Sequence, residues 1–204
     1  MSANPELLSP NTALGIVHGV FGQICFAGMV FVAAVTTLRW SSGPRADETA
    51  SAGTDRILGS MLVVALVFQL IIGAAYRHLT GELGTKNDQT MLLLMGHIFM
   101  AVFVTVLIVI NGLRASTVHR ERTVLRKTGL ILLVLVCVQL LLGVLATVAV
   151  LMRGDGEGIP SLEVLATSAH QANGALLLGA ATLLAAWYFR LLRPSSTPAS
   201  VAPA

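Results

Sequence analysis

Long apolar stretches without charge alternate with short polar segments along the chain. Five such stretches run from Leu7 to Leu38, Ile57 to Tyr76, Gln89 to Leu113, Thr128 to Met152 and Val164 to Phe189. Each reaches the roughly 20 residues that a helix needs to cross a bilayer. The pattern therefore predicts an all-α integral membrane protein with five transmembrane helices.

Composition agrees with this fold class. Of the 204 residues, 55% are hydrophobic and 11% are charged, against about 25% charged residues in an average soluble domain. A net charge of +3 could indicate a nucleic-acid partner in a soluble protein. Here the basic residues lie between the spans, so we expect no nucleic acid and a lipid bilayer as the surroundings.

The basic residues are divided unequally between the two ends of the spans. Three lie at one end, Arg77, Lys86 and Arg153. Ten lie at the other, namely Arg39, Arg45, Arg56, Arg114, Arg120, Arg122, Arg126, Lys127, Arg190 and Arg193. Cytoplasmic loops carry the excess of Lys and Arg. We therefore expect the N-terminus outside and the C-terminus in the cytoplasm.

An internal repeat relates the second and fourth spans. The segments from Gln69 to Gly73 and from Gln139 to Gly143 both read glutamine, three aliphatic residues and glycine. In each case the next span carries a histidine about two turns from its start, His97 in one and His170 in the other. A helix pair used twice predicts an up-down four-helix bundle, a fold that builds cofactor sites between facing helices. The two glutamines are expected to form hydrogen bonds between helices.

This repeat divides the chain into three segments. Residues 57–193 are predicted to form the four-helix bundle from spans two to five. Residues 1–56 hold the first span and a linker rich in Ser, Gly and Ala that is expected to be a flexible connection. Residues 194–204 are predicted to be a disordered tail, because Pro, Ser and Ala dominate them.

His97 and His170 are the strongest candidates for a site. At 1.5 Å per residue both lie roughly 9–12 Å inside the outer ends of their spans. The third and fifth spans are diagonal in an up-down bundle, so both rings can face its axis as the two axial ligands of one haem iron. The residue four positions after each histidine is small, Ala101 and Gly174, which would let a porphyrin approach. The alternative is that each histidine only bonds to a neighbouring helix.

The other histidines are placed less clearly. His18 lies two turns into the first span with a glycine four residues later, a ligand-like setting without an obvious partner. Arg77 and His78, at the outer end of the second span, either face water and headgroups or contact haem propionates or a metal. His119 lies in a basic loop and is expected to be solvated.

The order and spacing of these motifs resemble the second half of the heme A synthase family over about residues 57–193. The matching segments are Gln69 to Gly73 leading to Arg77-His78, then Gly96-His97, Gln139 to Gly143, and Ala169-His170. The first span, with His18, is similar to the last helix of that family's first bundle.

The resemblance implies that His97 and His170 hold a haem b and that His18 is one ligand of a second site. It also implies heme O as substrate and heme A as product, in the plasma membrane of a bacterium, for assembly of cytochrome oxidase. The chain has no counterpart of the family's first three helices, which carry a histidine and an outer-loop glutamate of the hydroxylation site. It is therefore either half of a split enzyme, completed by another polypeptide or a second copy, or a relative that keeps only the haem b bundle.

Three functions follow from these observations. The leading one is a membrane haem protein of heme A synthase type; whether it is itself an enzyme, and what donates its electrons, stays open. The second is a b-type cytochrome without catalytic activity that relays electrons from a quinol to a partner oxidoreductase. A transporter with pore histidines is disfavoured, because the five apolar stretches contain no Asp, Glu, Lys or Arg.

Overall fold

The computed structural model describes residues 12–44, 46–83, 87–152 and 160–195. Six helices lie in these ranges: α1 (Thr12–Val35), α2 (Leu38–Ser41), α3 (Ala52–Leu83), α4 (Asp88–Leu113), α5 (Thr123–Leu151) and α6 (Ser161–Leu191). One turn of π-helix (Arg114–Val118) follows α4, and two short strands, β1 (Asp47–Thr49) and β2 (Leu192–Pro194), complete the described elements.

All helices except α2 are long and apolar enough to cross a membrane. Helical structure is what such sequences adopt in lipid, because every backbone N–H and C=O must find its partner within the segment. Large apolar side chains remain exposed on the outside of the bundle, Phe99, Leu92 and Leu141 among them. The prediction of an all-α integral membrane protein with five transmembrane helices is confirmed.

Helices α3 to α6 form the predicted four-helix bundle. Each packs against the next in sequence, and α6 closes the ring by packing against α3. Helices α4 and α6 therefore face each other diagonally across the axis. Helix α1 lies outside the ring, against α3 and α6.

The connection between α1 and α3 is tied to the end of α6. Strand β1 pairs in parallel with β2, Arg190 donates to the backbone oxygen of Trp40 at 3.1 Å, and the Trp40 ring packs on that of Trp187 at 4.8 Å. The linker predicted to be a flexible connection is thus ordered in part, because α6 supplies hydrogen-bond partners for it.

The predicted disordered tail lies outside the described residues apart from Pro194 and Ser195. Pro194 belongs to β2, so the ordered part of the chain extends slightly beyond the predicted boundary. Three of the basic residues counted at the two ends of the spans also lie outside the described residues, namely Lys86, Arg153 and Arg45.

Candidate functional site

His97 of α4 and His170 of α6 meet inside the bundle. Their ring centroids are 6.3 Å apart and the ring planes make an angle of 71°. An imidazole nitrogen lies roughly 1.2 Å from its ring centre and binds a metal at about 2 Å, so two rings on opposite sides of one metal have centres about 6.4 Å apart. The predicted diagonal pair is therefore formed, and the distance between its ring centres is close to that value.

Each ring is held by the glutamine of the preceding helix. The Gln69 amide nitrogen lies 3.2 Å from Nε2 of His97 and also donates to the His97 backbone oxygen at 3.1 Å. The Gln139 amide nitrogen lies 3.3 Å from Nε2 of His170. Both glutamines thus form the interhelical contacts predicted for them, and each fixes the orientation of one imidazole.

The glycine of each repeated motif provides the space in which the ring lies. A Cβ atom built on Gly73 would be 2.8 Å from Cε1 of His97, and one built on Gly143 would be 3.0 Å from Cε1 of His170. Both distances are shorter than the usual contact between carbon atoms, about 3.5–4.0 Å. The motif of glutamine, three residues and glycine therefore acts as one unit, which binds the histidine of the next helix.

The two repeated sides of the site, one with Gln69 and His97 and the other with Gln139 and His170, differ at one polar residue. Asn173, one turn after His170, donates to Oε1 of Gln139 at 2.7 Å and to the Leu135 backbone oxygen at 3.0 Å. Gln69 instead uses the His97 backbone. The His170 side of the site is therefore fixed by an additional side chain.

The other nitrogen of each ring faces the glycine of the repeated motif: a built Cβ would lie 3.2 Å from Nδ1 of His97 at Gly73 and 3.4 Å from Nδ1 of His170 at Gly143. Nδ1 of His97 and Nδ1 of His170 are buried and have no hydrogen-bond partner among the described residues. The described residues contain no cluster of three or more metal-ligating side chains. Two histidines fit haem, because the porphyrin supplies the other four nitrogens.

The small residues expected to leave space for a porphyrin lie on the same helices. Gly174 packs near the Gln139 amide, with 3.4 Å from a built Cβ to its nitrogen. Ala101 is half-buried, one turn from His97 on α4. Their role beside a macrocycle stays a prediction.

Arg77 and His78 point to different partners. Arg77 donates from Nη1 to Oε1 of Gln171 at 2.7 Å, which brings a guanidinium to the residue next to His170. The His78 ring packs on α1, where a Cβ built on Gly15 would be 2.5 Å from its Cε1. Arg77 thus lies close to the site, whereas His78 joins the first helix to the bundle.

His18 does not contribute to this site. Its side chain is exposed on α1, on the helix face that also carries the exposed Leu14, Phe21 and Met29. The sequence predicts a difference in depth of roughly 9 Å between His18 and His78. The difference is smaller, about 4.5 Å, because the His78 ring lies beside Gly15, three residues from His18.

The expectation that His119 is solvated is wrong. His119 is 6% exposed, and its Nε2 lies 2.9 Å from Oδ2 of the fully buried Asp55. Arg114 donates from Nε to the other oxygen of Asp55 at 2.7 Å. The turn of π-helix, closed by the bond from the His119 N–H to the Arg114 oxygen, brings His119 back to face α3. This cluster joins α3 to the end of α4.

Charged residues do lie in the helices, outside the five uncharged stretches. Asp55 and Glu163 lie inside α3 and α6, and both are buried. Helices α3 and α6 begin five and three residues before the uncharged stretches do, because a charged side chain in the first turns of a helix can remain at the membrane surface or pair. All three residues of the cluster, Asp55, Arg114 and His119, lie at the Arg-rich end in the predicted topology. This shared position is the sequence feature from which their contact could have been predicted.

Comparison of the chain with known protein families, with characterised proteins and with solved structures finds no match. The class of protein is therefore given by its fold, an integral membrane protein with five transmembrane helices and a partly buried histidine pair.

Proposed function

We propose that the chain binds one haem b, with His97 and His170 as the two axial ligands. The separation of 6.3 Å between the ring centroids carries this proposal. The repetition of the same glutamine and glycine contacts on both sides of the site supports it.

The residues around the pair have separate tasks in this proposal. A haem iron bound by two histidines has no open coordination position and supplies one-electron transfer. Gln69 and Gln139 hold the rings at a fixed angle, and Gly73 and Gly143 let them reach the bundle axis. Arg77, bonded to Gln171, is a cation for a haem propionate. The enclosing helices keep water away from the rings.

For the biological role we propose a membrane haem protein of heme A synthase type, which takes part in oxidising the ring methyl group of heme O. This role is supported by the resemblance together with the contacts that its motifs make. Since two histidines fill both axial positions, the bundle itself would relay electrons, and oxidation would need a second site. His18 is a candidate ligand there, because a histidine exposed at membrane depth is costly without a partner.

A b-type cytochrome that relays electrons from a quinol is the second candidate. The symmetric pair of ligands favours it, because it is the arrangement of an electron-transfer haem. Heme A content of cells separates the two functions. Deleting the gene should remove heme A under the first proposal and leave heme A unchanged under the second.

The haem test uses the purified full-length chain. We expect one haem per chain by pyridine hemochrome, and a low-spin optical spectrum. His97→Ala and His170→Ala should each abolish that spectrum, because neither remaining imidazole can provide both axial bonds. His18→Ala is the matched control, since it removes an exposed histidine that lies away from the pair. An unchanged spectrum in both ligand variants would refute the assignment.

For orientation we propose that the Arg-rich end faces the cytoplasm. A reporter that is active only in the cytoplasm should work when fused after Arg122 and after Arg193. The same reporter inserted at Gly81 should be inactive. Activity at Gly81 together with inactivity at the other two positions would reverse the proposed topology.

A further inference from the structure

An apolar groove lies on the outside of the bundle between α3 and α4. It is a shallow groove that is open to the surroundings, with a volume of about 670 Å³. One face of α3, from Gly53 to Phe68, forms one wall, Met100 lies on the opposite wall, and Phe189 lies at the Arg-rich end. At 1.5 Å per residue the α3 wall is about 22 Å long.

Arg56 is the one charged side chain among the described residues that line this groove. Its Nη2 donates to the backbone oxygens of Phe189, at 3.2 Å, and Leu192, and its guanidinium carbon lies 5.1 Å from the centre of the Phe189 ring. Its Nε is buried without a hydrogen-bond partner among the described residues. A guanidinium has five N–H donors; Nη2 holds Arg56 in place and Nε is buried, so the donors that remain for an anion are those of Nη1.

The position of Arg56 along α3 fits a lipid. It lies in the second turn of the helix, where the chain enters the membrane from the Arg-rich side. One leaflet of hydrocarbon is about 15 Å thick, half of the roughly 30 Å core. A groove about 22 Å long therefore covers the depth of one leaflet and the headgroup region next to it. Basic pockets between transmembrane helices are known to bind anionic headgroups.

We propose that this groove binds one anionic phospholipid of the leaflet at the Arg-rich end. Its phosphate accepts hydrogen bonds from Arg56, and one acyl chain lies along α3 past Val64 toward Phe68. The apolar walls bind the acyl chain, and the Arg56 guanidinium selects a lipid with an anionic headgroup. This site is separate from the histidine pair, so it does not depend on haem.

The test uses the full-length chain in detergent, with equal amounts of phosphatidylglycerol and phosphatidylcholine of the same acyl chains. Native mass spectrometry then counts the lipids that stay bound. The wild type should retain phosphatidylglycerol about fivefold over phosphatidylcholine, the factor that one basic side chain contributes near an anionic lipid. Arg56→Gln should remove this preference.

Two further variants make the result specific. Arg190→Gln is the matched control, because Arg190 also donates to backbone oxygens at the same end, those of Trp40 and Pro44, but does not line the groove. It should keep the preference. Val64 lines the groove and its side chain is exposed. Val64→Phe places a larger side chain in the groove and should therefore reduce retention of both lipids. Equal retention of the two lipids by the wild type, an unchanged preference in Arg56→Gln, or unchanged retention in Val64→Phe would each overturn the proposal.

Discussion

Adding one methyl group at Gly73 should displace His97 without removing any ligand. The Cβ of Gly73→Ala would lie 2.8 Å from Cε1 of His97, and an ordinary carbon contact needs about 3.5 Å. The ring must therefore move by roughly 0.7 Å. Sites of this kind must be held within about 0.5 Å of their productive geometry. At Gly143 the same change starts from 3.0 Å, so the displacement is smaller, roughly 0.5 Å.

The assay is haem retention and the low-spin spectrum of the purified variants. We expect Gly73→Ala to lose more haem than Gly143→Ala. Gly96→Ala is the matched control, because it lies next to His97 on the same helix and a Cβ there meets nothing within 4 Å. It should retain full haem.

Loss of haem in these variants is not expected to come from unfolding. In a helix interior, alanine is more favourable than glycine by about 1 kcal/mol, so none of the three variants should lose haem because its helices melt. Full haem in Gly73→Ala, with a spectrum like that of the wild type, would refute the view that the glycine provides the space for the ring. Equal loss in Gly96→Ala would refute it as well.

Two further predictions concern residues away from the pair. Asp55→Ala should lower the thermal unfolding midpoint, because it leaves His119 and the Arg114 guanidinium without their acceptor, and a hydrogen bond to a charged group contributes about 1.5–3 kcal/mol. Glu121→Ala, which removes an exposed partner of Arg120, should leave the midpoint unchanged in the same detergent melt. Equal midpoints in the two variants would contradict the role of Asp55. His18→Ala should leave the haem content of the isolated chain unchanged, yet stop heme A formation when a second polypeptide supplies three further helices. If the isolated chain loses half its haem, His18 already shares a haem with a second ligand, such as one from a second copy of the chain.

The sequence predicts the helices and their order around the axis because both depend on local properties. Stretches of about 20 apolar residues leave little choice but a membrane helix, and short connections make neighbours of consecutive helices. The repeat places His97 and His170 at one depth, and the diagonal arrangement follows from the topology. For these reasons the pair could be predicted before any contact was known.

The contacts around the pair depend on helix rotation, which the pattern of apolar residues does not reveal. All faces of these helices are apolar, so nothing local tells that Gln69 faces His97 or that Gln139 faces both His170 and Asn173. The sequence also fails to predict the burial of His119, for a related reason. A single turn of π-helix changes the direction of the chain after Arg114, and the local sequence gives no clear sign of it.

The parallel pairing of β1 with β2 has a mechanical consequence. A pull on the end of the chain beyond Pro194 is directed along both strands, because they run in the same direction. Their hydrogen bonds are then loaded together in shear and do not open one after another. The backbone carries the tension from β2 into α6 directly, and β1 shares the load through these bonds, so the pairing must shear before the end of the helix that carries His170 can move away from β1.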